Sequence, residues 1–294
     1  MNETTTRDRA SAEDLTIVIP TLGREILRDA LAAIAGGSAL PARVIVVHQG
    51  NDSRVDEWIR QVPGELVVDY VQSDLRGRAT GINTGIDRAT TRFVAITDDD
   101  CLVDREWTRR MVARLRAEPD RLVTGRVEAA GDAVPVAVVT SDKPDAQRRP
   151  RIRFDLLSGG NMGGALDVLR RIGPLDEDPC LATAEDGEYA YRALRTGVPI
   201  TYDPTIVVDH VGWRDEPQRE RQYRSYARST AGFHGKYLRR GDLFIALRVT
   251  VRLLRALRRW AIGVIRRDPE QAARGRAYVT ELLPGLIAGW RSRS

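Results

Sequence analysis

Phe93-Val94-Ala95-Ile96-Thr97 runs straight into Asp98-Asp99-Asp100, and this junction limits the possible folds more sharply than anything else in the chain. The apolar residues do not alternate, so the run reads as a strand buried on both faces, the kind found in parallel sheets. Three adjacent carboxylates cannot stay in such an interior, because burying unpaired charge is costly. They should emerge at the carboxyl end of the strand, the edge at which open α/β sheets take ligands. If the backbone stays extended, Asp98 and Asp100 point the same way, and two converging carboxylates suit a hard cation such as Mg²⁺ or Mn²⁺. The alternative is an acidic turn opening a helix near Asp104, since carboxylates favour helix starts.

The flanking sequence repeats strand and helix at short intervals. Leu15–Ile19 is a β-branched strand stopped by Pro20, with a turn at 21–24 and a helix over Glu25–Ala35. Val44–Val47 is a second buried strand, with His48-Gln49-Gly50-Asn51-Asp52-Ser53 at its carboxyl end and a helix around Val55–Gln61. Leu66–Val71 is a third strand, and Gly77–Ala89 a helix weakened by Gly81 and Gly85. After the acids come a helix, Arg105–Glu118, and a strand, Leu122–Val127. This alternation predicts βαβ units and a mostly parallel sheet.

The second half is less regular. Val134–Thr140 reads as a strand and Ser141–Arg153 as a polar loop, of a length that tends to be functional or mobile. Ser158–Gly164 holds four glycines and Asn161, a composition that lets a backbone approach a ligand closely. A helix over Ala165–Ile172 follows. Glu185, Asp186 and Glu188 open another that runs to Arg195. Glu188 fits ordinary first-turn placement, whereas Glu185 or Asp186 could project into a cleft as a general base. Pro199–Val208 is a last strand, delivering His210 to either a structural or a metal or phosphate role.

Charge divides the chain. Residues 214–294 hold 19 Lys/Arg against 7 Asp/Glu, a net +12, which leaves residues 1–213 at −7 within the overall +5. Arg221, Arg224 and Arg228 share one helical face. Asp242 then caps a helix to Arg267 with Arg248, Arg252, Arg255 and Arg259 along one stripe and Leu243, Leu247, Leu254, Leu257 and Ile265 elsewhere. Leu282–Trp290 adds a short apolar segment. Such a basic amphipathic helix either lies on an anionic membrane surface or packs its apolar side on the body or a second subunit. Nucleic acid is not expected, for want of a recognisable binding module. No apolar run is long enough for a membrane span, and Met1–Ala12 lacks the apolar core of a signal peptide. The expected location is therefore cytoplasmic, or peripheral at the inner face of the plasma membrane. Cys101 and Cys180 are expected to be free thiols. The expected division is an arm at 1–13, a catalytic domain at 14–214 and a basic helical extension at 215–294.

Taken in order, Ile17-Val18-Ile19-Pro20-Thr21, Gly81-Ile82-Asn83-Thr84-Gly85, Asp98-Asp99-Asp100, Gly160-Asn161-Met162, Glu185-Asp186 and His210 resemble a family 2 glycosyltransferase of GT-A fold over residues 14–214. The resemblance implies a Rossmann-like α/β domain taking a nucleotide-sugar donor and a hydroxyl acceptor, which is lipid-linked, a glycan or a small molecule. It assigns Pro20, Thr21, Arg24, Asn83, Asp98 and Asp99 to the nucleotide, and Asp100 with His210 to a Mg²⁺ or Mn²⁺ cofactor. Gly160 and Asn161 fall to the sugar site, Asp186 to the catalytic base, and Glu185 to the acceptor beside it. His48 stands where the family usually has an acid, so either Gln49 or Asp52 reads the base or the base preference differs. The Gln-x-x-Arg-Trp motif of processive synthases is absent, with only Val211-Gly212-Trp213-Arg214 as a distant echo, which favours transfer of a single sugar. Two other readings stay open: a sugar-nucleotide-forming nucleotidyltransferase, short of the glycine-rich loop that chemistry uses, and a non-catalytic nucleotide-sugar-binding scaffold.

Overall fold

The structure, a computed structural model, describes residues 10–130, 139–211 and 216–292. Residues 1–9 of the expected arm, 134–138 of the expected strand, and 212–214 of the synthase-like echo lie outside the described residues. Two compact units emerge. One comprises Met1–Ala146, Leu157–Pro174 and Val198–Gly212; the other comprises Gln147–Leu156, Leu175–Gly197 and Trp213–Ser294. The second unit thus takes in segments on both sides of the expected cut at 214.

The first unit is an α/β sheet flanked by helices. Its strands and helices run β1 (Ala10–Thr21), α1 (Leu27–Ala35), β2 (Ala39–His48), α2 (Arg54–Arg60), β3 (Val68–Gln72), α3 (Arg78–Arg88), β4 (Phe93–Thr97) and β5 (Cys101–Val103). They continue as α4 (Trp107–Ala117), β6 (Leu122–Ala130), β7 (Asp145–Gln147), β8 (Asn161–Ala165), α5 (Leu166–Ile172) and, after the helix α6 described below, β9 (Ile200–Val211). The order across the sheet is β3-β2-β1-β4-β8-β6-β9-β5, with β7 paired to β9. All five residues of β4 are buried, as a strand sandwiched on both faces requires.

Three expectations change. β3, β2, β1 and β4 are parallel as expected, but β8 runs antiparallel to both β4 and β6, so the sheet is mixed beyond β4. The glycine-rich segment is therefore a buried central strand: its small residues fit between two neighbours and under the side chains of α4, with Gly163 facing Met111 and Leu115. Residues 10–13, expected in the arm, belong to β1, where Ala10, Ser11 and Ala12 pair with Ala39, Leu40 and Pro41.

The second unit is helical: α6 (Glu185–Arg195), α7 (Glu216–Arg239), α8 (Leu243–Arg266) and α9 (Pro269–Arg291). Asp242 caps α8 by accepting from the Phe244 and Ile245 amides at 3.0 and 3.3 Å, and Asp268 caps α9 through Gln271 at 2.9 Å. Such caps satisfy amides with no partner in the helix. Leu181, Tyr191, Phe233 and Ile245 form the core. The short apolar segment expected at Leu282–Trp290 is the end of a 23-residue helix. A Cβ on Gly289 would collide with the Gly232 carbonyl, so α7 and α9 meet backbone to backbone there.

The sequence leaves open which side of α8 turns inward. Arg248 is buried, pairing with Asp155 at 2.6 Å and donating Nε to the Arg151 carbonyl at 2.8 Å. Arg252 donates to the Arg153 carbonyl at 3.2 Å. Arg248 and Arg252 of the stripe thus face the unit and tie down the end of the expected polar loop, using the many donors of a guanidinium. Leu243, Leu254 and Ile265 point outward at 83%, 61% and 80% exposure.

Candidate active site

The acids do not continue β4 as extended chain. The Cys101 amide donates to the Asp98 carbonyl at 3.2 Å, closing a turn, so the expected convergence of Asp98 with Asp100 gives way to another grouping. Asp98 turns to Arg78, which donates Nε at 2.7 Å. Asp99 and Asp100 share Arg24: Nη1 lies 2.9 Å from Asp100, Nε 3.3 Å from one Asp99 oxygen, and Nη2 meets the other. Thr21 donates to Asp99 at 2.6 Å while accepting from the Gly23 amide at 3.0 Å. The end of β1 and the turn after it therefore supply the partners that let Asp99 and Asp100 be buried. Burial still pushes the Asp99 carboxyl upward against the pull of Arg24 and Thr21. Burial also works against charge on Arg24, but Asp99 and Asp100 outweigh it and raise its pKa.

β5 brings in the histidine. Its three residues pair antiparallel with β9, Cys101 opposite His210, and the Val211 amide donates to the Asp100 carbonyl at 2.9 Å. His210 Nε2 then lies 3.7 Å from Asp100 Oδ1. Ligand atoms of Asp100, Cys101 and His210 fall within 4.8 Å of one another, and among the described residues they form the group able to hold an ion. A carboxylate with an imidazole fits Mn²⁺ or a similar cation. Burial, and then the charges of Asp98 and Asp100, push the Cys101 thiol well up. Asp100 and His210, the carboxylate and imidazole of the group, suit a hard or borderline divalent ion better than a thiol does.

β8 closes the far side. Thr97 donates to the Gly160 carbonyl at 3.0 Å. A Cβ at Gly160 would come within 2.9 Å of Asp98 Oδ2 and of the Cys101 sulfur, so glycine keeps that side of the corner open. Asn161 departs from expectation. It is fully buried, its oxygen accepts from the Trp107 ring at 2.9 Å, and its amide donates to the Arg126 and Ile206 carbonyls at 2.9 and 3.0 Å. With both donors spent on backbone, its side chain ties β8 to β6, β9 and α4 and does not line a sugar site.

The expected base readers separate. Gln49 is buried and spends both amide hydrogens on the Leu75 and Gly77 carbonyls at 2.8 and 2.9 Å, fixing the approach to α3. Asp52 is on the loop after β2, bonded to Arg54 at 2.7 to 3.2 Å, which holds its carboxyl down at about 2. His48 is buried with Nδ1 3.0 Å from the Tyr70 hydroxyl, and burial lowers its pKa, so it packs as a neutral ring. Pro20 pairs with Val47 in the sheet, and Asn83 is buried on α3.

Glu185 and Asp186 belong to the second unit, in the first turn of α6. Glu185 is buried; Asp186 is half-buried and accepts from the Gly187 amide at 2.7 Å. Glu188, expected as ordinary first-turn decoration, is instead buried between Arg192 at 2.9 Å and the Tyr237 hydroxyl at 2.7 Å. Sequence reasoning missed Arg78 and Cys101. The position of Arg78 at the start of α3, just before the acidic strand, was the available signal.

The model of the family described as Glycosyl transferase family 2 matches residues 16–171. The pre-mycofactocin glycosyltransferase of Mycobacterium tuberculosis is 26% identical over 211 residues, covering 68% of this chain and 43% of that protein. The chondroitin synthase of Escherichia coli is 25% identical over 231 residues, covering 65% and 34%. The chain spans less than half the length of either relative. Among solved structures, the mannosyltransferase PcManGT from Pyrobaculum calidifontis, in complex with GDP-Man and Mn²⁺, superposes with a TM-score of 0.59 at 18% identity, covering 96% of this chain and 88% of that one. TarS 1-349 of S. aureus in complex with UDP-GlcNAc gives 0.57 at 14% identity, covering 75% and 66%. With more than half of its residues inside the family match, the chain belongs to glycosyl transferase family 2.

Proposed function

We propose that the chain is an inverting glycosyltransferase that moves a single sugar from a nucleoside diphosphate-sugar to an acceptor hydroxyl, with Asp186 as general base. The observation that carries this is the corner at the end of β4, where Arg24, buried Asp99 and Asp100, and His210 meet. That is a site for a diphosphate and its counter-ion at the carboxyl edge of parallel strands. The structural neighbours, whose names include GDP-Man and UDP-GlcNAc, support this donor class.

Thr21 and Arg24 face the diphosphate, with Pro20 and Asn83 on the nucleotide side. Asp52, on the loop after β2, is the acid available to the base. Gly160 leaves room for the sugar beside Asp98, and Glu185 orients the acceptor. Asp100 and His210 would hold Mg²⁺ or Mn²⁺, which when bound offers positive charge to the departing diphosphate. Asp186 accepts the acceptor hydroxyl proton as that oxygen bonds to the anomeric carbon. The bond from this carbon to the diphosphate oxygen breaks, and its electron pair leaves with the nucleoside diphosphate. One base and no enzyme nucleophile give a single displacement, hence inversion.

Asp186→Asn tests the assignment. Turnover should fall by about 100-fold or more, while donor affinity, read by the rise in melting temperature with Mn²⁺ and a GDP- or UDP-sugar, stays within about twofold. Near-normal turnover in this variant would sink the base assignment.

A further inference from the structure

The outward side of α8 is apolar along its length except at Thr250. Leu243, Leu247, Leu254, Val264 and Ile265 are all exposed. At 3.6 residues per turn they share an arc of about 100° and a length of about 33 Å, on the side opposite buried Ile245, Arg248, Ala256 and Gly263. Monomeric proteins in water rarely leave so long an apolar strip uncovered. Within the helix charge has one sign: between the capping residues Asp242 and Asp268, residues 243–267 contain seven arginines and no Asp or Glu. Arg248 and Arg252 are used internally, whereas Arg255, Arg258, Arg259, Arg266 and Arg267 are exposed. Trp260, partly exposed, stands at one margin, a position that suits a ring in a headgroup layer.

We propose that this face of α8 docks on an anionic lipid bilayer, the helix lying in the plane of the headgroups with its leucines below and its arginines among the phosphates. Charge decides the occupant. A second copy laid along the strip would bring Arg258 and Arg255, which flank it, together from each helix, with no carboxylate on either helix to offset them. An anionic surface supplies the missing sign, and basic amphipathic helices gain from both terms there. None of the helices among the described residues is long and apolar enough to cross a membrane, so the contact is with the surface. This goes beyond transfer chemistry and does not depend on it.

The test is co-sedimentation of the full chain, without nucleotide-sugar, with vesicles of phosphatidylcholine alone and with 30% phosphatidylglycerol. Binding should be at least about tenfold tighter to the anionic vesicles and weaken with salt. Leu254→Glu with Ile265→Glu changes exposed positions only, so an unchanged melting temperature is expected together with loss of binding. Arg258→Gln with Arg266→Gln should cut the preference for anionic lipid. Equal sedimentation of the glutamate variant overturns the proposal, as does a failure of the wild-type chain to bind. A concentration-dependent dimer in sedimentation velocity that the glutamates abolish would assign the face to a second copy and overturn it too.

Discussion

Arg24 occupies the position that a metal ion on Asp100 would contest. Its Nη1 is 2.9 Å from Asp100, and the same guanidinium also bonds to Asp99. At a charge separation of about 4 Å and an effective dielectric of about 20, one such pairing amounts to about 4 kcal/mol. The Arg24 side chain is 34% exposed, so solvent screening reduces the useful part to about 2 kcal/mol. Arg24→Met keeps the apolar stem and removes the charge. Mn²⁺, titrated without nucleotide and read by the free-ion signal in electron paramagnetic resonance, should then bind roughly 30-fold more tightly. Nucleoside diphosphate affinity should move the other way, because the diphosphate loses its cation. Asp99 stays buried with only Thr21 and neighbouring dipoles for company, so a drop in melting temperature accompanies both effects. Unchanged or weaker Mn²⁺ binding by a folded variant would refute the competition, and so would parallel changes in the two affinities.

Other expectations follow from the second unit. Arg248 and Asp155 are each 2% exposed at the side chain, so Arg248→Met should cost about 3–5 kcal/mol in urea unfolding, and adding Asp155→Asn should cost less than the sum of the two. His234 is fully buried with neither ring nitrogen hydrogen-bonded among the described residues, and burial, with the nearby charges of Arg252 and Arg248, holds its pKa well down. The unfolded chain takes up a proton below about pH 6.5 that the folded chain refuses. Stability should therefore be complete above that pH and decline below it by about 1.4 kcal/mol per unit. His234→Leu should flatten this slope in urea midpoints measured at pH 7.5, 6.5 and 5.5; an unaltered slope would mean that other groups carry it.

The legible parts of the sequence were those written in local pattern. β4 and its acids follow from five residues that cannot be half exposed and three that cannot be buried alone. The cap at Asp242 and the acidic first turn of α6 follow from residue type. Long-range pairing was not readable. Nothing in Cys101-Leu102-Val103 marks a strand, yet its pairing with β9 carries His210 to Asp100. Asn161 to Gly164 has loop composition and becomes a central strand because its neighbours leave little room for side chains. In α8 the helical period is legible, but which face turns inward is not. Periodicity separates two sides of a helix, and only the presence of Asp155 and the carbonyls at 151 and 153 decides which side turns inward.

The meeting of Gly232 with Gly289 has a corollary for how this chain can drift over generations. A methyl group on residue 289 would push α7 and α9 apart, so glycine there is as hard to replace as any catalytic group, though it performs no chemistry. The leucines on the outer side of α8 carry no such internal constraint. If they persist among relatives as stubbornly as that glycine, the pressure preserving them comes from outside the molecule.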